Sequence, residues 1–471
     1  MTLWKLILRR AVSPRGYNPV RLLHVLSCEI PDKSFINIRG PDAHKFLNGL
    51  VTAKLIPNIV KKSLATISPD DKATIDIHSD VGQFDMGIGS WGIYKEGVFA
   101  EGPYISRFGT YAAILNSKGK ILTDTIIYPI PFSVGDPMER RYPELLLQCD
   151  SSFADYLQEL FETHKLLQKV KIARMKNLKL WNLTINMNEY PEWNNYFSWK
   201  SAFWEPMTSL RTPEEALQFS NWFLEQFFPN NNNKIVAAYY DTRNTDPDEK
   251  SNHFYFVTTD DVHDINSLFD PQMVQSPTAR GNITLQQLRR LRFRRSVLEG
   301  IDELAPESLL PLEMNFDLYE DCLSFDKGCY VGQELTARTH ATGILRKRCI
   351  AVELESPENI QNTTTQGKYL DIYTDHILSN TETTVVSDIN NPFGTTQNRP
   401  RAKKKRPIGK LLKFDGSDGV ALMRLDYIEE AHRLVKLPCY VFASDTQEKV
   451  VLHIDQKRRP LYNSGIQLLK T

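Results

Sequence analysis

"DKGCYVGQE", residues 326–334, is the stretch on which the reading of this chain turns. A single cysteine, Cys329, sits on a backbone loosened by Gly328 and Gly332, with Lys327 two residues before it. Tyr330, Gln333 and Glu334 complete the segment. Cysteine attacks or binds metal as its thiolate, and a free thiol ionises at ~8.5, so an adjacent cation such as Lys327 favours the reactive form. Glycine lets the chain turn sharply and lets a ligand approach closely. Gln333 brings a donor and an acceptor, and Glu334 a base or an anchor. These are the parts of a reactive or metal-accepting thiol loop. The same residues also suit a tight turn whose cysteine fills a small apolar space, because free cysteine is often buried.

Working outward, the other five cysteines (Cys28, Cys149, Cys322, Cys349, Cys439) are scattered through 471 residues without a C-x-x-C pair. That is not the dense framework of a secreted disulfide scaffold, and it points to a reducing compartment. A length of 471 residues corresponds to about three domains' worth of chain. Apolar residues at 41% are enough for ordinary cores, and a formal net charge of zero offers no bulk argument for a nucleic-acid or acidic partner. No apolar run approaches the ~20 residues needed to span a bilayer. The first 25 residues carry Lys5, Arg9, Arg10, Arg15 and Arg21 and no acid, interleaved with Leu3, Trp4, Leu6, Ile7 and Leu8. This pattern predicts a mitochondrial transit peptide over 1–25 and hence a matrix protein. Removing those five cations from a neutral total leaves a mature chain of net charge −5.

The remainder reads as two regions, 26–340 and 341–471. In the first, "SFINIRG" (34–40) alternates like a strand, and Ala43, Phe46, Leu47, Leu50 and Val51 repeat at helical spacing. "YAAIL" and "KILTDTIIY" flank "NSKG" as a β-hairpin, and 151–167 reads as an amphipathic helix. Strands and helices without a regular βαβ period predict an α+β fold with antiparallel sheets. "PIGKLLKF", "GVALMRLDYI" and "RLVKLPCYVF" read as short strands of a terminal β-domain. Two stretches read as mobile surface insertions: 186–233, mixing tryptophans, prolines and acids before "NNNN", and 356–406, rich in Thr, Asn, Ser and Pro and ending in "RPRAKKKR".

"KGCYVGQE" (327–334) resembles the signature octapeptide of the YgfZ-type proteins, a branch of the folate-binding aminomethyltransferase superfamily. "GPDAHKFLNGLVT" (40–52), "LNSKGKILTD" (115–124), "RFRRSVLEGI" (292–301), "LLPLEMNFD" (309–317), "ELTARTHATGILRKR" (334–348) and "GVALMRL" (419–425) follow the same family in order. The resemblance implies an aminomethyltransferase-like multi-domain fold with antiparallel sheets, helices and a C-terminal β-barrel domain and, for mitochondrial members, a role in iron–sulfur cluster assembly. Expected clients are [4Fe–4S] enzymes such as aconitase-like proteins and the lipoate and biotin synthases, and the expected partners are A-type scaffold proteins. It implies a functional role for Cys329, Lys327, Gly328, Tyr330, Gly332, Gln333 and Glu334, and tetrahydrofolate contacts for Asp124, Arg292 and Arg338. Aminomethyltransferases share the lysine and glycine of this loop but lack the cysteine, and they carry paired acids where this chain has Thr123 before Asp124. Aminomethyl transfer therefore stands as the alternative function, and whether the chain turns over a substrate is left open. Asp124 suits either a pterin hydrogen bond or a solvated hairpin end.

Iron–sulfur clusters usually take four thiolates, and Cys322 and Cys349 are poorly spaced to join Cys329. No stable metal or cluster is expected on the isolated chain; Cys329 is read as a transient or shared ligand. The arginines of "LRRLRFRRS" (288–296) match a carboxylate tail bidentately or form a solvated, ion-paired face. "RPRAKKKR" (399–406) reads as a solvated loop rather than a nucleic-acid patch, and His340 as a packing or metal-ligating histidine.

Overall fold

Two strands open the described chain, β1 (His24–Ile30) and β2 (Lys33–Arg39), joined by a turn in which Asp32 takes φ 59°. Aspartate tolerates the left-handed region because its short polar side chain bonds locally. His24 and Val25, counted with the leader, are thus the first residues of a strand, and Val25 is fully buried. The computed structural model describes residues 24–57, 91–97, 102–133, 142–186, 203–231, 233–243, 251–270, 280–360, 369–376, 406–434, 437–442 and 448–454. Residues 1–23 of the transit-peptide reading and the "RPRAKKKR" cluster up to residue 405 lie outside these.

After β2 comes the short helix α1 (Ala43–Asn48), whose Phe46 and Leu47 are buried as the helical spacing predicts. Strands β3 (Ile93–Lys95) and β4 (Tyr104–Ser106) pair with each other. The predicted hairpin is β5 (Thr110–Leu115) and β6 (Ile121–Pro129), in register Ala113↔Asp124. β7 (Glu144–Asp150), helix α2 (Ala154–His164) and β8 (Lys171–Met175) follow. The order β5-β6-β7-β2-β8 makes one antiparallel sheet, with Ile36, Ile38, Leu145, Leu147, Leu157 and Phe161 in its core. A second sheet, β10-β11-β9-β1-β12, is built from β9 (Leu178–Asn186), β10 (Ile235–Tyr240), β11 (Ser251–Thr259) and β12 (Arg280–Asn282) around β1. Only the β1–β12 pairing in it is parallel.

The region 186–233 departs from its reading as a mobile surface loop. Residues 187–202 lie outside the description, but α3 (Glu205–Thr208) and α4 (Pro213–Phe227) are core elements. Thr212 caps α4 by accepting from the Glu215 N–H at 3.1 Å, and Pro213 sits at its first position, where no N–H is needed. Phe203, Phe219, Phe223 and Phe228 pack with Phe108, Phe132, Phe254 and Phe256. Polar composition masked an apolar face at helical spacing; burial of those rings decides the outcome.

Two compact units divide the described residues: one holds 24–288 and 299–343, the other 289–298 and 344–454. The second includes most of α5 (Leu285–Arg294), while α6 (Gln333–Thr342) belongs to the first. The predicted barrel closes as β13-β16-β15-β14-β17-β18. Its strands are β13 (Lys347–Leu354), β14 (Leu370–Thr374), β15 (Gly409–Asp415), β16 (Asp418–Arg424), β17 (Cys439–Phe442) and β18 (Lys449–Ile454). β14 lies inside the stretch read as an insertion, and closure of the barrel depends on it. "LDYI", read as strand, instead begins helix α7 (Leu425–Arg433).

Candidate functional site

All six cysteines fall within the described residues; five are buried and Cys329 is exposed. Exposure excludes the second of the loop's two readings, a cysteine that fills a small apolar space. Cys322 is fully buried, and burial holds its thiol well above the ordinary value; Cys349, on β13, is likewise buried and pushed up by burial. Neither offers a ready thiolate to join Cys329.

Lys327 does not serve as the thiol's cation. Its ammonium is turned inward, donating to the carbonyls of Asn48 (2.7 Å), Val51 and Ala53 (2.8 Å), and lies 4.4 Å from the Tyr330 ring centroid. Burial, with Lys54 second, pulls its amine down to about 7. A buried amine is tolerated only when its donors are satisfied, and three acceptors match the three N–H bonds of an ammonium. Lys327 thus pins the loop to the segment after α1. The Val331 N–H adds a bond to the Gly49 carbonyl (3.2 Å), Thr52 Oγ1 donates to the Cys322 carbonyl (2.8 Å), and Tyr330 is buried.

The two glycines do different jobs. Gly332 has φ 78°, and a Cβ there would lie 2.4 Å from the Asn116 carbonyl oxygen and 2.8 Å from Leu115 Cβ. Gly119, at φ 77°, would put its own Cβ 2.9 Å from the Gly332 oxygen. The tip of the β5–β6 hairpin and the octapeptide loop therefore meet backbone to backbone. Gly328 faces open space, with no atom within 4 Å of where a Cβ would stand. Immediately after Gly332, α6 begins; Gln333 Oε1 accepts from the Tyr330 N–H at 3.3 Å, and Glu334 is exposed in its first turn. The loop presents its thiol outward from an anchored frame.

Asp124 is not a solvated hairpin end. It is buried, its Oδ1 accepting from the Gly300 N–H (2.9 Å) and its Oδ2 from the Tyr111 hydroxyl (3.1 Å). Burial raises its carboxyl to about 6, opposed by Lys33. Lys33 pairs with Asp150 at 2.6 Å, and Glu299 closes the cleft. Arg243, 4.3 Å from the Tyr111 ring centroid, is held by Asp241 (2.7 Å) and Glu299. The cleft encloses about 10 Å³, the space of one water.

The other cofactor candidates do not line that cleft. Arg292 is in the barrel-bearing unit, its guanidinium donating to the Val297 carbonyl at 3.5 Å, and Arg338 is exposed on α6. In α5, Arg290 pairs with Asp415 (3.1 Å) and Arg294 with Asp418 (2.8 Å), the ion-paired reading of that arginine cluster. His340 stacks on Phe325 with ring centroids 3.6 Å apart. Among the described residues, no group of three or more His, Cys, Asp or Glu side chains is placed to hold a metal ion.

Sequence reading missed a second buried charge group, just ahead of the loop in the chain. Asp321 Oδ1 accepts from the Glu96 and Gly97 N–H groups (both 3.0 Å), and Lys95 donates to the Gly109 carbonyl (2.9 Å). Burial first, then Asp321, pushes Glu320 up to about 8; burial lowers Lys95. Lys54 bridges Glu96 and Asp326 (3.5 Å to the latter). "KEG" and "YEDC" carry no periodic or motif signal, so only folding reveals their meeting.

No family model matches the chain. The mitochondrial iron–sulfur cluster assembly factor IBA57 homolog of Eremothecium gossypii is 54% identical over 93% of this chain and 94% of its own. The homolog from Kluyveromyces lactis is 40% identical over 86% of each chain, and IBA57 of Saccharomyces cerevisiae 36% identical over 85% and 82%. Among solved structures, the glycine cleavage system aminomethyltransferase T of Bartonella henselae aligns at 10% identity and TM-score 0.45, over 92% of this chain and 86% of that one.

Proposed function

We propose, for a chain that belongs to the IBA57 family of mitochondrial iron–sulfur cluster assembly factors, that Cys329 is an exchangeable thiolate ligand for a cluster in transit. The cluster is cargo. One thiolate from this chain and others from a partner, an A-type scaffold protein, complete its coordination. The chain acts in the mitochondrial matrix and supports maturation of [4Fe–4S] enzymes, aconitase-like and radical types among them. The observation that carries this reading is the contrast among thiols: one exposed on a pinned loop, five buried.

A ligand of this kind has to be reachable yet weak enough to leave. Exposure gives reach, and a single thiolate gives weakness, since four are the usual complement. The frame made by Lys327, Gly332 and Gly119 fixes where the sulfur stands without adding a second ligand. The test is anaerobic co-purification with A-type partners, followed by iron and sulfide analysis of wild type and Cys329→Ser. The variant is expected to fold, to lose bound iron and sulfide, and to fail in supporting aconitase and lipoate synthase. Full support of both enzymes by Cys329→Ser would overturn the proposal.

Folate-dependent one-carbon transfer is the second reading, favoured by the buried Asp124 carboxyl and its Tyr111 partner. Calorimetry with tetrahydrofolate, followed by an assay for one-carbon release, separates the two. Binding without turnover favours the assembly role.

A further inference from the structure

We propose that the turn following α2, residues 165–171, is a docking tip for an anionic lipid surface. Leu166 and Leu167 leave 87% and 98% of their surface exposed. One exposed leucine is ordinary, but two in succession on one turn, each almost wholly exposed, make a paired apolar point. The turn is held in place. Gln168 N–H donates to the Lys165 carbonyl (2.9 Å), Lys169 N–H to Asp42 Oδ2 (2.8 Å), and Val170 is buried. Leu166 takes φ 43°, a region disfavoured for a bulky side chain, where glycine or asparagine would relax the backbone. Both leucines are therefore displayed by an anchored turn.

Charge decides what covers them. From Thr163 to Asn177 the chain has no Asp or Glu, while Lys165, Lys169 and Lys171 surround the leucines in sequence. Among the described residues, the carboxylates in contact with this segment are Glu162, which pairs with Lys165 at 3.5 Å, Asp155, which pairs with Arg174, and Asp42, which accepts from the Lys169 N–H. Lys169 and Lys171 make no ion pair among the described residues. A protein interface usually needs ~800 Å² per partner, with aromatic anchors at its centre. A two-residue point flanked by lysines is too small for that, and it carries no aromatic anchor. It suits a bilayer interface, where the apolar side chains enter the headgroup–acyl boundary and the ammonium groups meet phosphates.

The test is flotation of the protein, purified from mitochondria, with vesicles of phosphatidylcholine alone and of phosphatidylcholine with cardiolipin. Wild type is expected to float with the anionic vesicles, less so as salt rises. Leu166→Ser/Leu167→Ser is expected to weaken this by roughly tenfold or more, with its unfolding transition unchanged. Lys169→Glu/Lys171→Glu should lose the preference for cardiolipin. The proposal is overturned if wild type floats with neither vesicle, floats equally with both, or floats no better than the leucine variant. It is also overturned if sedimentation shows a dimer that the leucine variant loses, for then a second copy covers the tip.

Discussion

Adding one methyl group on either side of Cys329 is expected to have opposite outcomes. In Gly332→Ala the new Cβ meets the Asn116 oxygen at 2.4 Å and Leu115 Cβ at 2.8 Å, both within an ordinary van der Waals separation. Its φ of 78° adds ~1–2 kcal/mol for an L-residue in the left-handed region. Overpacking against backbone adds ~1–3 kcal/mol, because a carbonyl in a hairpin turn cannot swing aside as a side-chain tip can. Together these predict a loss of about 2–5 kcal/mol from the unit that carries the site. In Gly328→Ala nothing lies within 4 Å of the new carbon, so the change should stay within about 0.5 kcal/mol. The assay is chemical denaturation of both variants, with hydrogen exchange at amides 113–123 and 330–336 to locate the loosening. Exchange should rise at the hairpin tip and the loop together in Gly332→Ala, because each is the other's support. If Gly332→Ala unfolds like wild type, or Gly328→Ala is equally damaged, the backbone-to-backbone contact does not exist as described.

Thiol titration of the native protein should find one fast-reacting cysteine of six, none in Cys329→Ser; two or more fast thiols in wild type would contradict the burial of the rest. Glu320 has a folded pKa of about 8 against an unfolded value of 4.5, so its carboxyl costs nothing below pH 4.5 and progressively destabilises the fold as pH rises to about 8. Glu320→Gln should therefore gain stability relative to wild type across that window, by an amount of order a few kcal/mol at its alkaline end; a difference that does not grow with pH would count against it. Phe223→Ala, removing a fully buried ring from α4, should cost ~3–5 kcal/mol in denaturation, whereas a surface insertion would register about 0.5 or less.

Much of the fold was legible because local patterns and final burial agree. The β5–β6 hairpin follows from two apolar runs around "NSKG", and α1 from the spacing of Ala43, Phe46 and Leu47. α4 was missed because the acids, prolines and asparagines of 186–233, taken as a whole, outweigh the helical repeat of Ala216, Phe219, Phe223 and Leu224; those rings are buried once Phe108 and Phe254 lie opposite them. "LDYI" reads as strand or helix equally well until the chain must leave the barrel after Arg424.

The site divides the same way. Chain chemistry alone supplies a thiol, a lysine and two glycines in one loop, and a near neighbour in covalent sequence invites pairing Lys327 with Cys329. Folding sends that lysine to the carbonyls of Asn48, Val51 and Ala53, more than 270 residues away in sequence, and leaves the sulfur facing solvent. What the amino-acid order determined was which groups are available and which segments become strands and helices, since both depend on residues close together in the chain. Only the tertiary structure decided which glycine is obligatory, where the ammonium points and that Asp124 is buried, because each depends on atoms brought from distant parts of the chain.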